Sequence, residues 1–246
     1  MARTAGPVVA VIPARYASTR LPGKPLLAET GQPLIRHVYE SARRCAKLDR
    51  VIVATDDERI LEAVRGFGGE AVMTSATHPT GTDRIAEAVR GIDCARVINV
   101  QGDEPDVDPV LIETLIGLLD SAEMATLATP FKDAQDALSS SRVKVVIDRH
   151  HNALYFSRSR IPYANGTGSP ALLHLGLYGY TKSFLLSYVT LDPTPLEQAE
   201  RLEQLRALEH GYKIKVGIVR WTSKGGIDTP EDYAAFVRRM RERATP

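Results

Sequence analysis

Three stretches of the 246-residue chain carry side chains able to do chemistry. The first, from Pro13 to Pro25 (PARYASTRLPGKP), sets Arg15, Arg20 and Lys24 beside two hydroxyls. Cations so closely spaced can hold a triphosphate, and a solvated basic loop is the competing reading. The loop is not a Walker A, because no glycine precedes Gly23-Lys24 at the required spacing and Pro25 takes the Ser/Thr place. In the second, the apolar run Val97 to Val100 leads into Gln101-Gly102-Asp103-Glu104-Pro105. A hard divalent ion such as Mg²⁺ keeps several waters and takes one or two protein carboxylates, so Asp103 is the first candidate ligand. Asp106 and Asp108 stand just before the next helical run and suit capping or turn roles. The third stretch, Gly225-Gly226-Ile227-Asp228-Thr229-Pro230, fits a helix start with Asp228 or Thr229 as N-cap and proline at N1.

The elements that must position these groups follow from periodicity. Short β-branched runs alternate with helical segments, which argues for an α/β sheet with mostly parallel strands. Strands are expected at Val8 to Ile12, Arg50 to Ala54, Ala71 to Met73 and Val97 to Val100. Helices are expected around Leu34 to Ala42, Asp57 to Arg65 and Thr82 to Arg90. In such sheets ligands sit beyond the carboxyl ends of strands, which is where the loop after Ile12 and the acids after Val100 fall. The stretch Gly66 to Ala71 fits the relaxed G-x-G-x-x-A fingerprint, yet a helix precedes it and a strand follows, the reverse of a dinucleotide site.

From about Ala125 the pattern changes. Strand candidates at Thr126 to Thr129, Val143 to Ile147, Ala153 to Phe156 and Leu173 to Tyr180 crowd together, so antiparallel pairs are expected. Pro195 to Glu209 has helical period, Ile214 to Val219 reads as a strand, and Thr229 to Met240 as a terminal helix. No linker divides the chain. The reading is one domain over 1–246, with an insertion at about 150–195 that faces the substrate. Ala164 to Pro170 is the expected mobile loop, and the Asn165-Gly166-Thr167 sequon within it has meaning only in a secreted chain.

Composition narrows the partners. With 31 Lys plus Arg against 30 Asp plus Glu, nothing points to a nucleic-acid polyelectrolyte or an anionic membrane surface. No window approaches a membrane span, and the five-residue apolar run near the N-terminus is too short for a signal peptide. Cys45 and Cys94 lack zinc spacing or disulfide density, so a reducing cytoplasm is expected.

Nine stretches, in order, carry a resemblance: IPARYASTRLPGKPL from Ile12, VIVATDD from Val51, HPTGTDR from His78, VINVQGDEP from Val97, VKVVID from Val143, ALYFSRSRIP from Ala153, HLGLYGY from His174, PLEQAERLEQLR from Pro195 and GIDTPEDY from Gly226. Over nearly its whole length the chain resembles the 3-deoxy-manno-octulosonate (Kdo) cytidylyltransferases. The resemblance implies a Rossmann-like nucleotide-diphospho-sugar transferase fold: a mostly parallel mixed sheet with a smaller insertion for substrate and dimerisation. It implies a homodimer that moves CMP from CTP to the anomeric hydroxyl of Kdo with Mg²⁺ and releases pyrophosphate.

Residue by residue, the resemblance gives Arg15 and Lys24, with Arg20 as helper, to the triphosphate. It places Ala14, Thr80, Gly81 and Arg84 around cytosine and ribose, and Gln101, Arg158, His174, Tyr178, Glu203 and Gln204 in the Kdo pocket. Asp103 and Asp228 become the metal ligands. From the residues alone, Arg158 is equally a strand-end surface charge, His174 a satisfied structural histidine, and His150-His151 a turn rather than a metal site. Glu203 and Gln204, read as helix neighbours about 100° apart, both face a pocket only at its rim. Tyr163 stands where Trp is common, and the segment to His174 is short. Plain Kdo, its 8-amino relative and a sialic acid are the acceptors to compare, and a nucleotide-binding regulator without turnover is the rival of another class.

Overall fold

The computed structural model describes residues 6–17, 20–133, 135–163, 171–220 and 226–244. The chain forms two compact units, one of 5–113 with 222–246 and the other of 1–4 with 114–221. The segment 150–195 lies inside the second unit. The expected mobile loop Ala164 to Pro170, with its sequon, falls outside the described residues, as do Ser18, Thr19 and Gly225.

The first unit is a succession of strands and helices: β1 (Val8–Ala14), α1 (Leu34–Arg43), β2 (Arg50–Thr55), α2 (Glu58–Gly66), β3 (Glu70–Met73), α3 (Gly81–Val89), β4 (Arg96–Asn99) and α4 (Pro109–Leu118), the last ending in the second unit. Its strands lie in the order β3-β2-β1-β4, all parallel. A strand in the middle of a parallel sheet is covered on both faces, so it tolerates only an unbroken apolar run. Val9, Ala10, Val11 and Ile12 of β1 are fully buried. The α1 face Leu34, Ile35, Val38, Tyr39 and Ala42 is buried as its spacing predicts. Two boundaries differ from expectation for a capping reason. Asp57 caps α2 by accepting from Arg59 N, and Thr80 caps α3 two residues before the expected start. Gly66 closes α2 and Gly68 turns into β3 with φ 77°, which rules the fingerprint there out as a dinucleotide loop.

The second unit holds β5 (Met124–Pro130), β6 (Lys144–Ile147), β7 (Ala153–Ser157), β8 (Leu172–Thr181), α5 (Lys182–Tyr188), α6 (Pro195–Glu200), α7 (Leu205–Glu209) and β9 (Ile214–Ile218). The expected antiparallel pairs are present: β5 with β8, and β6 with both β7 and β8, while β9 runs parallel to β5. Two readings need correction. The helical period from Pro195 to Glu209 is not one helix, because Arg201 takes a left-handed φ of 54° and splits it into α6 and α7. Glu203 and Gln204 therefore lie in the connection, with Gln204 as the N-cap of α7. The helix α5 was not foreseen, since Phe184, Leu185 and Tyr188 simply extend the apolar run of β8.

The chain closes in the first unit with α8 (Pro230–Ala244). Its Tyr233, Phe236 and Val237 join Leu21, Leu34 and Ile227 in one buried cluster. Among the described residues no helix is long and apolar enough to cross a membrane, and Cys45 and Cys94 are buried free thiols.

Candidate active site

Beyond the carboxyl ends of β1 and β4 lies a cleft of about 370 Å³. Ala14, Arg15, Arg20, Lys24, Gln101, Asp103 and Asp228 line it, together with Pro13, Ala17, Pro25 and Gly102. These residues come from three distant parts of the sequence, and packing brings them together. Leu21, at the middle of the basic loop, and Ile227, beside Asp228, are buried in the same cluster, so the C-terminal acid is drawn to the N-terminal loop. Ile227 N then donates to Asp103 O at 2.9 Å, which ties the third stretch to the second. Gly102 passes so close to β1 that a Cβ there would meet Pro13 O at 2.8 Å.

At the focus of the cleft is the Lys24 ammonium. It lies 3.3 Å from Asp103 Oδ2, 3.5 Å from Asp228 Oδ1, and donates to Ile227 O at 2.8 Å. Arg20 NH2 reaches the same Asp228 oxygen at 3.0 Å. Two acids within 3.5 Å of one nitrogen mark a point that favours positive charge, and oxygen donors of this kind suit a hard divalent ion. The capping role open to Asp228 is filled by its neighbours. Asp232 Oδ2 accepts from Thr229 N at 2.9 Å and Thr229 Oγ1 accepts from Asp232 N at 3.2 Å, which leaves Asp228 to the cleft. Upstream, Asp108 caps α4 through Val110 N at 2.9 Å, whereas Asp106 pairs with Arg239 and Arg243 of α8 instead of capping. Burial pushes the Glu104 carboxyl up to about 7, with Asp103, Asp106 and Asp228 adding like-charge repulsion.

Arg15 lines the cleft while its NH2 donates to His78 O at 2.7 Å. Thr80, Gly81 and Arg84 belong to the same unit but are not among the residues lining the cleft. The Thr80 hydroxyl forms a capping box with Asp83. Arg84 is fully buried, with NH1 2.5 Å from Thr74 Oγ1 and NH2 2.6 Å from Asp56 Oδ2.

In the second unit the predicted acceptor residues are embedded in the fold. The Arg158 guanidinium donates to three backbone carbonyls, those of Glu200 at 2.9 Å, Ser140 at 3.2 Å and Arg201 at 3.4 Å. Its backbone N–H donates to Glu200 Oε2 at 2.9 Å. Burial pushes the His174 ring down to about 3, so it is neutral; Nε2 lies 2.9 Å from Thr126 Oγ1. Burial also holds the Tyr178 hydroxyl well above its ordinary range, keeping it protonated. Tyr188 OH fixes Glu203 O at 2.7 Å. Gln204 is 5% exposed and its Nε2 has no hydrogen-bond partner among the described residues. His150 and His151 occupy a turn closed by Asp148, whose Oδ1 accepts from His150 N and Asn152 N at 2.8 Å. No cluster of three or more potential metal-ligating side chains occurs among the described residues.

Sequence reasoning missed two contributors. The Ile227 carbonyl leaves no trace in residue type, and the raised Glu104 carboxyl depends on burial that spacing does not report.

Cations and carboxylates gathered beyond the carboxyl ends of a parallel sheet define the class: an α/β protein with its candidate ligand cleft at the strand ends. Comparison with known proteins narrows this. A family profile described as Cytidylyltransferase matches residues 9–214, and the chain belongs to this family. It is 52% identical over 241 residues to a 3-deoxy-manno-octulosonate cytidylyltransferase of Syntrophobacter fumaroxidans, covering 94% of this chain and 95% of the relative. It is 49% identical over 233 residues to an 8-amino-3,8-dideoxy-manno-octulosonate cytidylyltransferase of Shewanella frigidimarina, covering 92% and 95%. The solved structure of a CMP:2-keto-3-deoxy-manno-octonic acid synthetase complexed with CTP superposes with a TM-score of 0.92 at 43% identity, covering 96% of this chain and 99% of that one.

Proposed function

We propose that the chain transfers CMP from CTP to Kdo and releases pyrophosphate. The observation that carries this reading is the meeting of Asp103 and Asp228 at the Lys24 ammonium, in a chain of the cytidylyltransferase family. The anomeric hydroxyl of Kdo is a weak nucleophile and the α-phosphorus is screened by negative charge, so alignment and cations must lower the barrier. The sugar oxygen forms a bond to the α-phosphorus, the bond to the bridging oxygen breaks in line with its electron pair leaving on pyrophosphate, and the hydroxyl proton passes to solvent water. Lys24 and Arg15, with Arg20 at the rim, bind the triphosphate and offset the charge that builds on the departing pyrophosphate. Asp103 and Asp228 would hold Mg²⁺, which when bound supplies Lewis-acid charge to the phosphate oxygens.

Ala14 at the cleft, and Thr80, Gly81 and Arg84 around α3, are assigned to the nucleoside by the resemblance. Their hydrogen bonds give Thr80 and Arg84 a supporting part in that assignment. The resemblance assigns Gln101, which lines the cleft, to the acceptor, and it assigns Arg158, His174, Tyr178, Glu203 and Gln204, all within the second unit, to the same ligand. The unpartnered Gln204 amide supports this, since a buried donor without a partner is costly unless a ligand satisfies it. Arg158 offers a carboxylate a cation fixed in place by three carbonyls. A cytoplasmic homodimer completes the proposal. The free buried thiols fit a reducing compartment, and exposed Leu154 and Ile218 in the second unit fit a subunit contact.

The test is pyrophosphate release from CTP with Mg²⁺ and, in separate reactions, Kdo, 8-amino-Kdo and a sialic acid. Fastest release with Kdo is expected. A preference for the amino sugar moves the assignment to the second relative's activity, and no release with any sugar, despite CTP binding, favours the regulator.

A further inference from the structure

A contact outside the cleft holds the loop that carries the phosphate-binding cations. The Arg59 guanidinium carbon lies over the Tyr16 ring, 3.4 Å from its centroid. Arg59 is itself braced by the cap of α2: its Nε donates to Asp57 Oδ1 at 2.9 Å and its NH2 to Asp57 Oδ2 at 2.7 Å. The other end of the loop meets the same tyrosine. Gly23 N donates to Tyr16 O at 3.2 Å, Gly23 has φ 65°, and a Cβ on it would come within 3.3 Å of the Tyr16 ring. A residue with a side chain is thus disfavoured at 23 twice, by backbone conformation and by the ring.

Neither Tyr16 nor Arg59 lines the cleft. Yet Tyr16 adjoins Arg15 and Gly23 adjoins Lys24, so one ring ties together the two cations that the reaction needs most. A planar guanidinium locked on a carboxylate loses little freedom in stacking on an aromatic face, which a lysine at 59 could not reproduce. We propose that Tyr16, stacked beneath Arg59 and packed against Gly23, is a positioning residue that fixes the spacing of Arg15 and Lys24 for a triphosphate, with Asp57 and Arg59 as its brace. The inference rests on the nucleotide reading above.

Calorimetric titration of the full chain with CTP and Mg²⁺ tests it, with the wild type measured first. Tyr16→Ala is expected to weaken CTP binding about tenfold and Arg59→Met about threefold, while Tyr16→Phe, which keeps the ring, stays within about twofold. The double variant should bind no more weakly than Tyr16→Ala, because both changes undo one contact. KM for the sugar and the melting temperature should stay unchanged. Wild-type affinity in Tyr16→Ala overturns the proposal. So does a loss in Tyr16→Phe equal to that in alanine, which would mean that the hydroxyl and not the stacked ring carries the effect, and so do losses that multiply in the double variant. A wild-type chain that binds no CTP overturns the nucleotide reading, and this inference with it.

Discussion

The two units hold their candidate residues in opposite ways. In the first, Lys24, Asp103, Asp228 and Arg20 touch mainly one another at the mouth of a cleft, and the fold around them is apolar packing that would persist without them. In the second, Arg158, His174 and Tyr178 are committed to backbone carbonyls, aromatic neighbours and a threonine hydroxyl. Carboxylates that meet only cations at a cleft can be changed without unfolding the chain, whereas side chains that satisfy buried backbone groups cannot. Activity and stability should therefore separate between these two sets of residues.

The largest effect that separates them is expected from Asp103→Asn, with turnover falling roughly 10³-fold while the melting temperature moves by less than about 3 °C. A steady-state assay paired with a thermal melt checks both halves. The converse variant is Lys144→Met in the second unit. That ammonium is fully buried and donates to the carbonyls of Ser139 at 3.0 Å, Arg142 at 2.7 Å and Arg158. Leaving three carbonyls without a donor is expected to cost about 3 kcal/mol in a denaturant melt, and an unchanged midpoint would end the contrast.

Thr80 sharpens the division, since it belongs to the first unit and yet has its hydroxyl committed to a capping box. Thr80→Val should cost about 1 kcal/mol of stability with little change in CTP affinity. A large loss of affinity at unchanged stability would return the hydroxyl to the nucleotide. The smallest effect is one of pH. The His174 ring takes a proton near 6.5 in the unfolded chain but only at about 3 in the native one. Above 6.5 both states are neutral. As pH falls below it, only the unfolded chain gains a proton, so stability declines until the native ring also protonates near 3. Between pH 7 and 6 the loss should be about 0.7 kcal/mol, and it should be missing in His174→Gln.

Legibility in the sequence follows the same division. The parallel strands of the first unit could be read because a strand covered on both faces must be continuously apolar, and β1 is. The ligand end could be read because loops beyond such strands are where cations and acids accumulate. That Asp228 meets Asp103 was not legible from local residues, where Thr229 and Pro230 make a helix cap equally sensible; the packing of Leu21 on Ile227 decides it. In the second unit the sequence misled at Arg201, because a left-handed residue inside a helical period changes no apolar spacing. Glu203 and Gln204 consequently stand in a connection rather than on one helix. The three carbonyls around Lys144 are invisible in the sequence because backbone acceptors leave no mark in residue type.

The central claim is that Asp103 and Asp228 serve one divalent ion as a pair. Pyrophosphate release from CTP and Kdo by Asp103→Asn, Asp228→Asn and the double variant tests it directly. If both hold the same ion, the double variant is no slower than the slower single one. Losses that multiply, or a near-normal rate in either single variant, would contradict the account.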